Sequence, residues 1–545
     1  MTASTDTGRQ PDARSNILGA VLLLLLVLAA FGPALHAGFI WDDDMFITDN
    51  ETLQDVDGLR VIWTEPAKNP HYYPLLMTLF WAMYQLWGNH PAGYHLVTVL
   101  FHAGAAMLLW RLLLAVGARG AFLAALVFAL HPVHVQSVAW ATELKNTLSG
   151  AFYIGALLAW AREDRLGRTR AYALCAALFL ASLLSKTTTI SLPLAIVLIE
   201  LWKQGRLRRA TLGLALGLVV VALIPALVTL GLERSRNVSL VASQFLFPEK
   251  LIVVGLSIWF YLGKLLWPHP LIMVYPYWQL DMTQWREYVP LVLLVVSVPV
   301  LFLARMRLGR GPLLAWFFFI ATLAPIPFMD VNFVLQHSFV ADHFLYLPSL
   351  GVIAVIVSAL SAVFQRRTAA WRFGLAGLVA VGLGGLTWSQ CRHYEDQEAL
   401  WRHTLAYNPT CAVAFNNLGL MLLQKGQVDE AIDVIGKGIE GQPEMPKFHS
   451  NLAVALRQRG DERGAAAELE KAIQLDPTFY EARLEVAALH IRQGDLAAAA
   501  SDVRGAVQVR PGAWEAPWNL GVILLASGNL TDAMTSFEKA LALRA

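Results

Sequence analysis

At 545 residues, with 56% hydrophobic and 15% charged side chains and a mean hydropathy of +0.50, the chain reads as a polytopic membrane protein and not a soluble enzyme. Its formal net charge of +2, without a dense Lys/Arg face or an aromatic-basic motif, argues against a nucleic-acid partner. Cys175, Cys391 and Cys411 give no disulfide framework and no metal spacing, although Cys391 and Cys411 could pair outside the cytoplasm.

In chain order, residues 1–16 form a short tail carrying Arg9 and Arg14, expected on the cytoplasmic side. The run Ile17–Leu35 has no charged residue. It is long for a signal-peptide core, and no small-x-small cleavage site follows near His36-Ala37, so it is expected to stay as a first span. Trp41-Asp42-Asp43-Asp44 comes next. Adjacent carboxylates raise at least one pKa by mutual repulsion, which suits a proton-handling site; the plainer alternative is an acidic loop that orients the first helix.

Further apolar stretches lie at 94–116, 121–138, 147–161, 171–184, 190–202, 211–231, 289–304, 312–328, 344–364 and 373–389. Basic clusters punctuate alternate loops: Arg111 and Arg119, Arg162 to Arg170, Lys203 to Arg209, Arg305 to Arg310, and Arg366 to Arg372. All are cytoplasmic only if Leu251–Trp267 is re-entrant or interfacial, which leaves eleven full spans. The Asp42–Asp44, His131–Asn146, Leu232–Lys250 and Asp330–His343 segments then face outward, with the carboxyl-terminal region. Trp140, Trp267, Tyr275, Tyr277 and Trp278 fit an aromatic interface belt.

That terminal region is a repeat array. Pro409, Pro443, Pro477 and Pro511 are 34 residues apart, as are Gly426, Gly460, Gly494 and Gly528. This is the tetratricopeptide period. Small residues such as Gly419, Ala431 and Gly438 recur where paired helices approach. Leu418, Leu452, Val486 and Leu520 supply the repeating apolar position. Four units and a leading half-unit at Glu398-Ala399-Leu400-Trp401 fill residues 397–545, an α-solenoid of the kind that binds segments of other proteins.

Polar residues near membrane depth are costly and usually functional or paired. They include Tyr73, His95, His102, His131, His134, Glu143, Lys145, Lys186, Asp342, His343 and Tyr346. The histidines suit helix packing, donor-lipid contacts or, for the i, i+3 pair His131 and His134, a metal if other ligands converge. Lys186 could instead form a structural ion pair with Glu143.

Phe39-Ile40-Trp41-Asp42-Asp43, with Ile47 and Asn50, resembles the first-loop signature of the transmembrane, tetratricopeptide-repeat O-mannosyltransferases. Pro91-Ala92-Gly93-Tyr94-His95-Leu96-Val97 with His102, His131-Pro132-Val133-His134, and Tyr346-Leu347-Pro348-Ser349 follow in the family's order. The resemblance implies an all-α GT-C membrane glycosyltransferase fold over residues 17–390, followed by the repeats. It implies a site on the outer face and a polyprenyl-phosphate sugar donor. It also implies an acid of the first outer loop as catalytic base: Asp42 matches best, Asp43 second, and Asp44 has no counterpart. Two departures stand out, since the family pattern has Arg where this chain has Tyr73 and His343. Both remove a permanent charge from the expected phosphate site.

The chemistry of inverting glycosyl transfer needs such a base and cationic or donor groups for the leaving phosphate. Lys145, Lys186 and His343 are the phosphate candidates, ahead of Arg234 and Arg236. Tyr73, His95, His131, His134, Glu143, Asp342 and Tyr346 are the substrate-binding candidates. No metal is expected; the alternative is Mg²⁺ or Mn²⁺ on Asp42, Asp43 and Asp44. The expected activity is transfer of mannose or a similar hexose to a Ser/Thr hydroxyl of a protein held by the repeats. The alternatives are an oligosaccharyltransferase, a cell-surface glycan transferase, or a non-catalytic membrane-anchored scaffold. The expected setting is a bacterial inner membrane with site and repeats in the periplasm, or an endoplasmic reticulum membrane and lumen.

Overall fold

The computed structural model describes residues 13–235, 247–324, 326, 337–364 and 367–544, all helix, turn or irregular chain with no strand among them. Asp330, Arg9, Arg236, Arg366 and the side chain of Arg234 lie outside the described residues. The chain divides into two compact units, Met1–Leu400 and Trp401–Ala545.

In the first unit the helix Leu144–Ala161 is buried almost all round, between Pro91–Val116 and Arg168–Ser185. Four helices are long and apolar enough to cross a membrane: Pro91–Val116, Arg209–Thr229, Trp285–Leu308 and Phe373–Tyr394. The expected span at 121–138 is instead two helices, Ala121–Leu130 and Pro132–Ala139, bent by 52°. Its cause is local. Pro132 has no N–H to continue the helix, and it pushes His131 to extended backbone at φ −76°, ψ 125°. The count of eleven therefore goes beyond what helix length and composition establish. Several of the stretches behind it form short helices such as Leu192–Gln204 and Gly311–Leu323. All of Leu251–Trp267 except Trp267 lies in one unbroken helix, Phe247–Leu266.

The first loop is anchored by its own apolar residues. Phe46, Ile47, Leu53 and Ile62 pack with Leu76, Met77, Phe80 and Leu144 in a closed core. Burying side chains of this size stabilises the loop by about 1.5–3 kcal/mol each. Asn50 caps the short helix Glu51–Gln54 by accepting from Thr52 N–H at 3.1 Å.

The second unit contains successive antiparallel helix pairs: Ala412–Gln424 with Val428–Gly441, Pro446–Arg459 with Glu462–Leu475, Tyr480–Arg492 with Leu496–Val509, and Glu515–Ala526 with Leu530–Arg544. Gly426, Gly460, Gly494 and Gly528 make the turn within each pair at φ of 75°, 92°, 78° and 80°, a region that penalises any Cβ. A Cβ on Gly419 would fall 2.5 Å from Ile435, and one on Gly521 would fall 2.7 Å from Phe537. Small residues at these positions let the paired helices touch.

Candidate active site

One cavity of about 150 Å³ gathers the chemistry of the first unit. Its walls include Asp42, Tyr73, Glu143, Lys145, Lys186 and His343. Four parts of the chain supply them: the first loop, the bend after Pro132, the turn after helix Arg168–Ser185, and the turn before Ser349–Phe364.

The neighbouring acids of the first loop have separate fates. Asp43 is fully buried. Its Oδ2 accepts from Ile40 N–H at 2.9 Å, and its Oδ1 accepts from Thr142 N–H at 2.7 Å and Thr142 Oγ1 at 2.5 Å. Asp43 therefore ties the loop to the turn Ala141–Glu143 and does not line the cavity, which corrects its place as a second candidate base. Asp42 does line it, and its buried Oδ1 has no hydrogen-bond partner. Burial pushes the Asp42 carboxyl up to about 7, Lys145 pulls it down, and Asp43 and Glu143 push it up further. Burial also raises Asp43, to about 6, against the hydrogen bonds from Ile40 and Thr142. Asp44 is exposed, and its Oδ1 accepts from Met45 N–H at 2.7 Å. The three acids do not converge, and among the described residues no three His, Cys, Asp or Glu side chains form a metal-holding group.

Backbone geometry presents Asp42. Trp41 has φ of 52°, the one positive φ at a non-glycine residue among the described residues. Holding such a residue in the left-handed region costs about 1–3 kcal/mol and occurs mostly at functional sites. Trp41 itself lines the cavity and faces Trp140, ring centroids 6.2 Å apart.

The cations form a buried network. Lys145 Nζ lies 2.8 Å from Glu143 Oε1, and Lys186 Nζ lies 3.7 Å from Glu143 Oε2. Lys186 also donates to Asn146 Oδ1 at 2.6 Å, and Asn146 Nδ2 donates to Glu143. Lys145 sits 5.4 Å from the Phe46 ring centroid and 5.7 Å from that of Trp140. One carboxylate thus counters two ammonium groups, leaving local positive charge beside Asp42. The ion pair expected between Lys186 and Glu143 exists, but it is the looser of the two.

His343 lines the same cavity without supplying charge. Gln136 Oε1 accepts from His343 N–H at 2.8 Å, which identifies that atom as the amide oxygen. His343 Nδ1, 3.2 Å from the same oxygen, must then carry the ring proton, and Nε2 keeps its lone pair. Burial drives the imidazole well below its ordinary range, to about 3, although Glu143 favours the charged form. In this hydrogen-bond arrangement His343 stands in the cavity beside the lysines without a charge of its own.

Other expected residues fall outside the cavity. His95 Nε2 faces Gly38 O at 3.3 Å. His131 Nε2 faces Leu265 O at 3.0 Å, and its Nδ1 accepts from Val133 N–H. His134 is packed among Phe128, Tyr346 and His102, with ring centroids 4.7, 5.2 and 5.9 Å away. Tyr346 bonds His102 Nδ1 at 2.9 Å, and Asp342 accepts from Tyr275 OH at 2.9 Å. His95, His131, His134, Asp342 and Tyr346 thus stand outside the cavity lining. Tyr73 and Glu143 remain at the cavity.

Sequence reasoning missed Gln136, Trp140, Thr187, Thr188 and Phe344 as cavity walls. Gln136 and Trp140 belong to the polar segment that begins at His131-Pro132, and the threonines directly follow Lys186. Their proximity to motif residues was the available signal.

Residues 68–230 match the profile of the family described as dolichyl-phosphate-mannose-protein mannosyltransferase. Residues 446–479 and 484–545 match tetratricopeptide repeats. A stretch similar to this mannosyltransferase family is thus followed by stretches similar to tetratricopeptide repeats, and the curated relatives it matches are named protein O-mannosyl-transferases. Protein O-mannosyl-transferase TMTC3 of Mus musculus is 28% identical over 158 residues, 27% of this chain and 17% of its own. The Drosophila melanogaster Tmtc3 protein is 22% identical over 519 residues, covering 78% and 55% of the two chains. A Caenorhabditis elegans protein O-mannosyl-transferase is 24% identical over 464 residues, covering 79% and 64%. The chain thus spans less than two thirds of the length of each of these relatives. Among solved structures, the crystal structure of MamA matches 27% of this chain and 86% of its own at 19% identity, with a TM-score of 0.24.

Proposed function

We propose that the chain is a multi-pass membrane mannosyltransferase of GT-C type that moves a single hexose from a polyprenyl phosphate to a protein Ser or Thr hydroxyl. The observation that carries this reading is the unpartnered, buried Oδ1 of Asp42 in one cavity with Lys145 and Lys186. Asp42 takes the proton of the acceptor hydroxyl as its oxygen forms a bond to the sugar's anomeric carbon. The bond from that carbon to the phosphate oxygen breaks, and the electron pair leaves with the phosphate. Lys145 and Lys186 meet the negative charge that develops there, and they do so in a site where burial strengthens the attraction.

The outward-facing first loop, eleven spans, and a periplasmic or lumenal position for cavity and repeats complete the reading, with the repeats holding the acceptor protein.

The test is turnover of polyprenyl-phosphate mannose by the full chain and by Asp42→Asn. Loss of transfer in a folded variant is expected; undiminished turnover overturns the assignment.

A further inference from the structure

The helices that carry the Asp42 cavity have a second set of unexplained features at their other ends. Lys145 stands at the start of Leu144–Ala161, and Arg162 directly follows its last residue. Eighteen residues of helix rise about 27 Å, close to the hydrocarbon thickness of a bilayer. Arg111, near the end of Pro91–Val116, and Arg168, at the start of Arg168–Ser185, lie at the same remote level.

A polar cavity of about 1160 Å³ opens there, walled by six basic and three acidic side chains. Most of the acid is already used. Glu163 pairs with Arg168 at 2.8 Å and with Arg208 at 3.0 Å, while Glu200 pairs with Arg208 at 2.5 Å and accepts from Thr211 at 3.1 Å. Among the described residues no carboxylate lies within ion-pair distance of Arg111 or Arg162, although Asp164 exerts an attraction on Arg162 at longer range. Trp160 lines this cavity too. It is 3% exposed, and its indole Nε1 has no hydrogen-bond partner. An orphaned buried donor beside two unneutralised guanidinium groups fits an anion that accepts hydrogen bonds.

The second half of the site is apolar. A groove of about 830 Å³ runs between the same three helices, floored by Phe101, Gly104, Leu108, Phe152 and Gly155. Arg162 lines both the groove and the polar cavity, so the two are joined at that residue. The groove is open at Gly104, where a Cβ would meet nothing within 4 Å.

We propose that this end of the helices binds an anionic membrane phospholipid, with its phosphate at Arg111, Arg162 and the Trp160 N–H and an acyl chain in the Gly104 groove. An apolar tail alone would not need the arginines, and a free anion would not need the groove. The two meeting at Arg162 select a molecule with both parts. The site is separate from the sugar-transfer cavity and does not depend on what that cavity does.

The test uses the full chain purified in detergent, titrated with phosphatidylglycerol, phosphatidylcholine or glycerol 1-phosphate, with bound molecules counted by native mass spectrometry. Phosphatidylglycerol should be retained about tenfold or more over phosphatidylcholine, as expected for charge-assisted hydrogen bonds, and glycerol 1-phosphate should not displace it. The double variant Arg111→Gln, Arg162→Gln should lose the preference between lipids. Trp160→Phe should weaken phosphatidylglycerol binding, and Gly104→Leu should expel both lipids. Equal retention of the two lipids by the unaltered chain would overturn the proposal. So would full displacement by glycerol 1-phosphate, or binding that Gly104→Leu and Trp160→Phe leave unchanged.

Discussion

Thr142 gives both its backbone N–H, at 2.7 Å, and its hydroxyl, at 2.5 Å, to one oxygen of Asp43. That pairing spans 99 residues of chain and fixes the first loop against the turn that carries Glu143. It also separates two adjacent acids into one that holds the site and one that faces its interior.

Asp42→Asn and Asp43→Asn should therefore fail in different ways. Loss of a general base lowers turnover by about 10²–10⁴, so Asp42→Asn should cut kcat by that factor with little change in thermal unfolding. Asp43→Asn should destabilise the chain by about 1.5–3 kcal/mol, the scale of a lost charged hydrogen bond, and lower activity in proportion to the unfolded fraction. Thermal unfolding in detergent beside initial rates separates the two; equal Tm losses would contradict the division.

The pH profile should report Asp42. Because its folded pKa is raised to about 7, the carboxyl is protonated below that pH and unable to accept a proton. Activity should fall about tenfold per unit below pH 7 and decline again above about pH 8, where Lys186, lowered to about 8 by burial, loses the charge that meets the phosphate. Lys145 pulls this pKa down, so Lys145→Gln should move the inflection to higher pH. A shift to lower pH, or none, would contradict the coupling.

Glu143 is 1% exposed and is the counter-ion of two lysines that are themselves mostly buried. Glu143→Gln leaves those charges uncompensated, which costs about 3–5 kcal/mol where one partner of a buried pair is removed. Polyprenyl-phosphate mannose should restore much of that loss by supplying the missing negative charge. The rise in Tm on adding donor should be larger in Glu143→Gln than in the unaltered chain; an equal rise would remove the lysines from the phosphate site.

His343→Gln should change the donor KM by no more than about threefold, and equally at pH 6 and pH 8, because the ring it replaces is neutral at both. A loss confined to pH 6 would restore a protonated imidazole to the site.

Periodic and compositional signals carried most of the architecture. The 34-residue spacing located all four glycine turns, and apolar runs located most helices. Motif and membrane depth together brought Asp42, Lys145 and Lys186 to one cavity. They failed where several polar residues look alike in sequence and only packing distinguishes them. His131, His134 and His343 are each embedded beside apolar runs, yet only His343 reaches the cavity, from the turn before Ser349–Phe364, while His131 turns to Leu265 O and His134 packs on Phe128 and Tyr346. Gln136 was invisible because its value lies in a contact 207 residues away.

The bend at His131-Pro132 also works as a depth gauge. Eleven more residues of straight helix would carry Glu143 about 17 Å further along the axis. With the chain turned by 52°, Gln136, Trp140 and Glu143 line one cavity with Asp42. Moving that proline by one helical turn in a related chain would raise or sink the reaction plane by about 5.4 Å. The length of lipid that must emerge from the bilayer before its sugar meets the carboxylate would change with it.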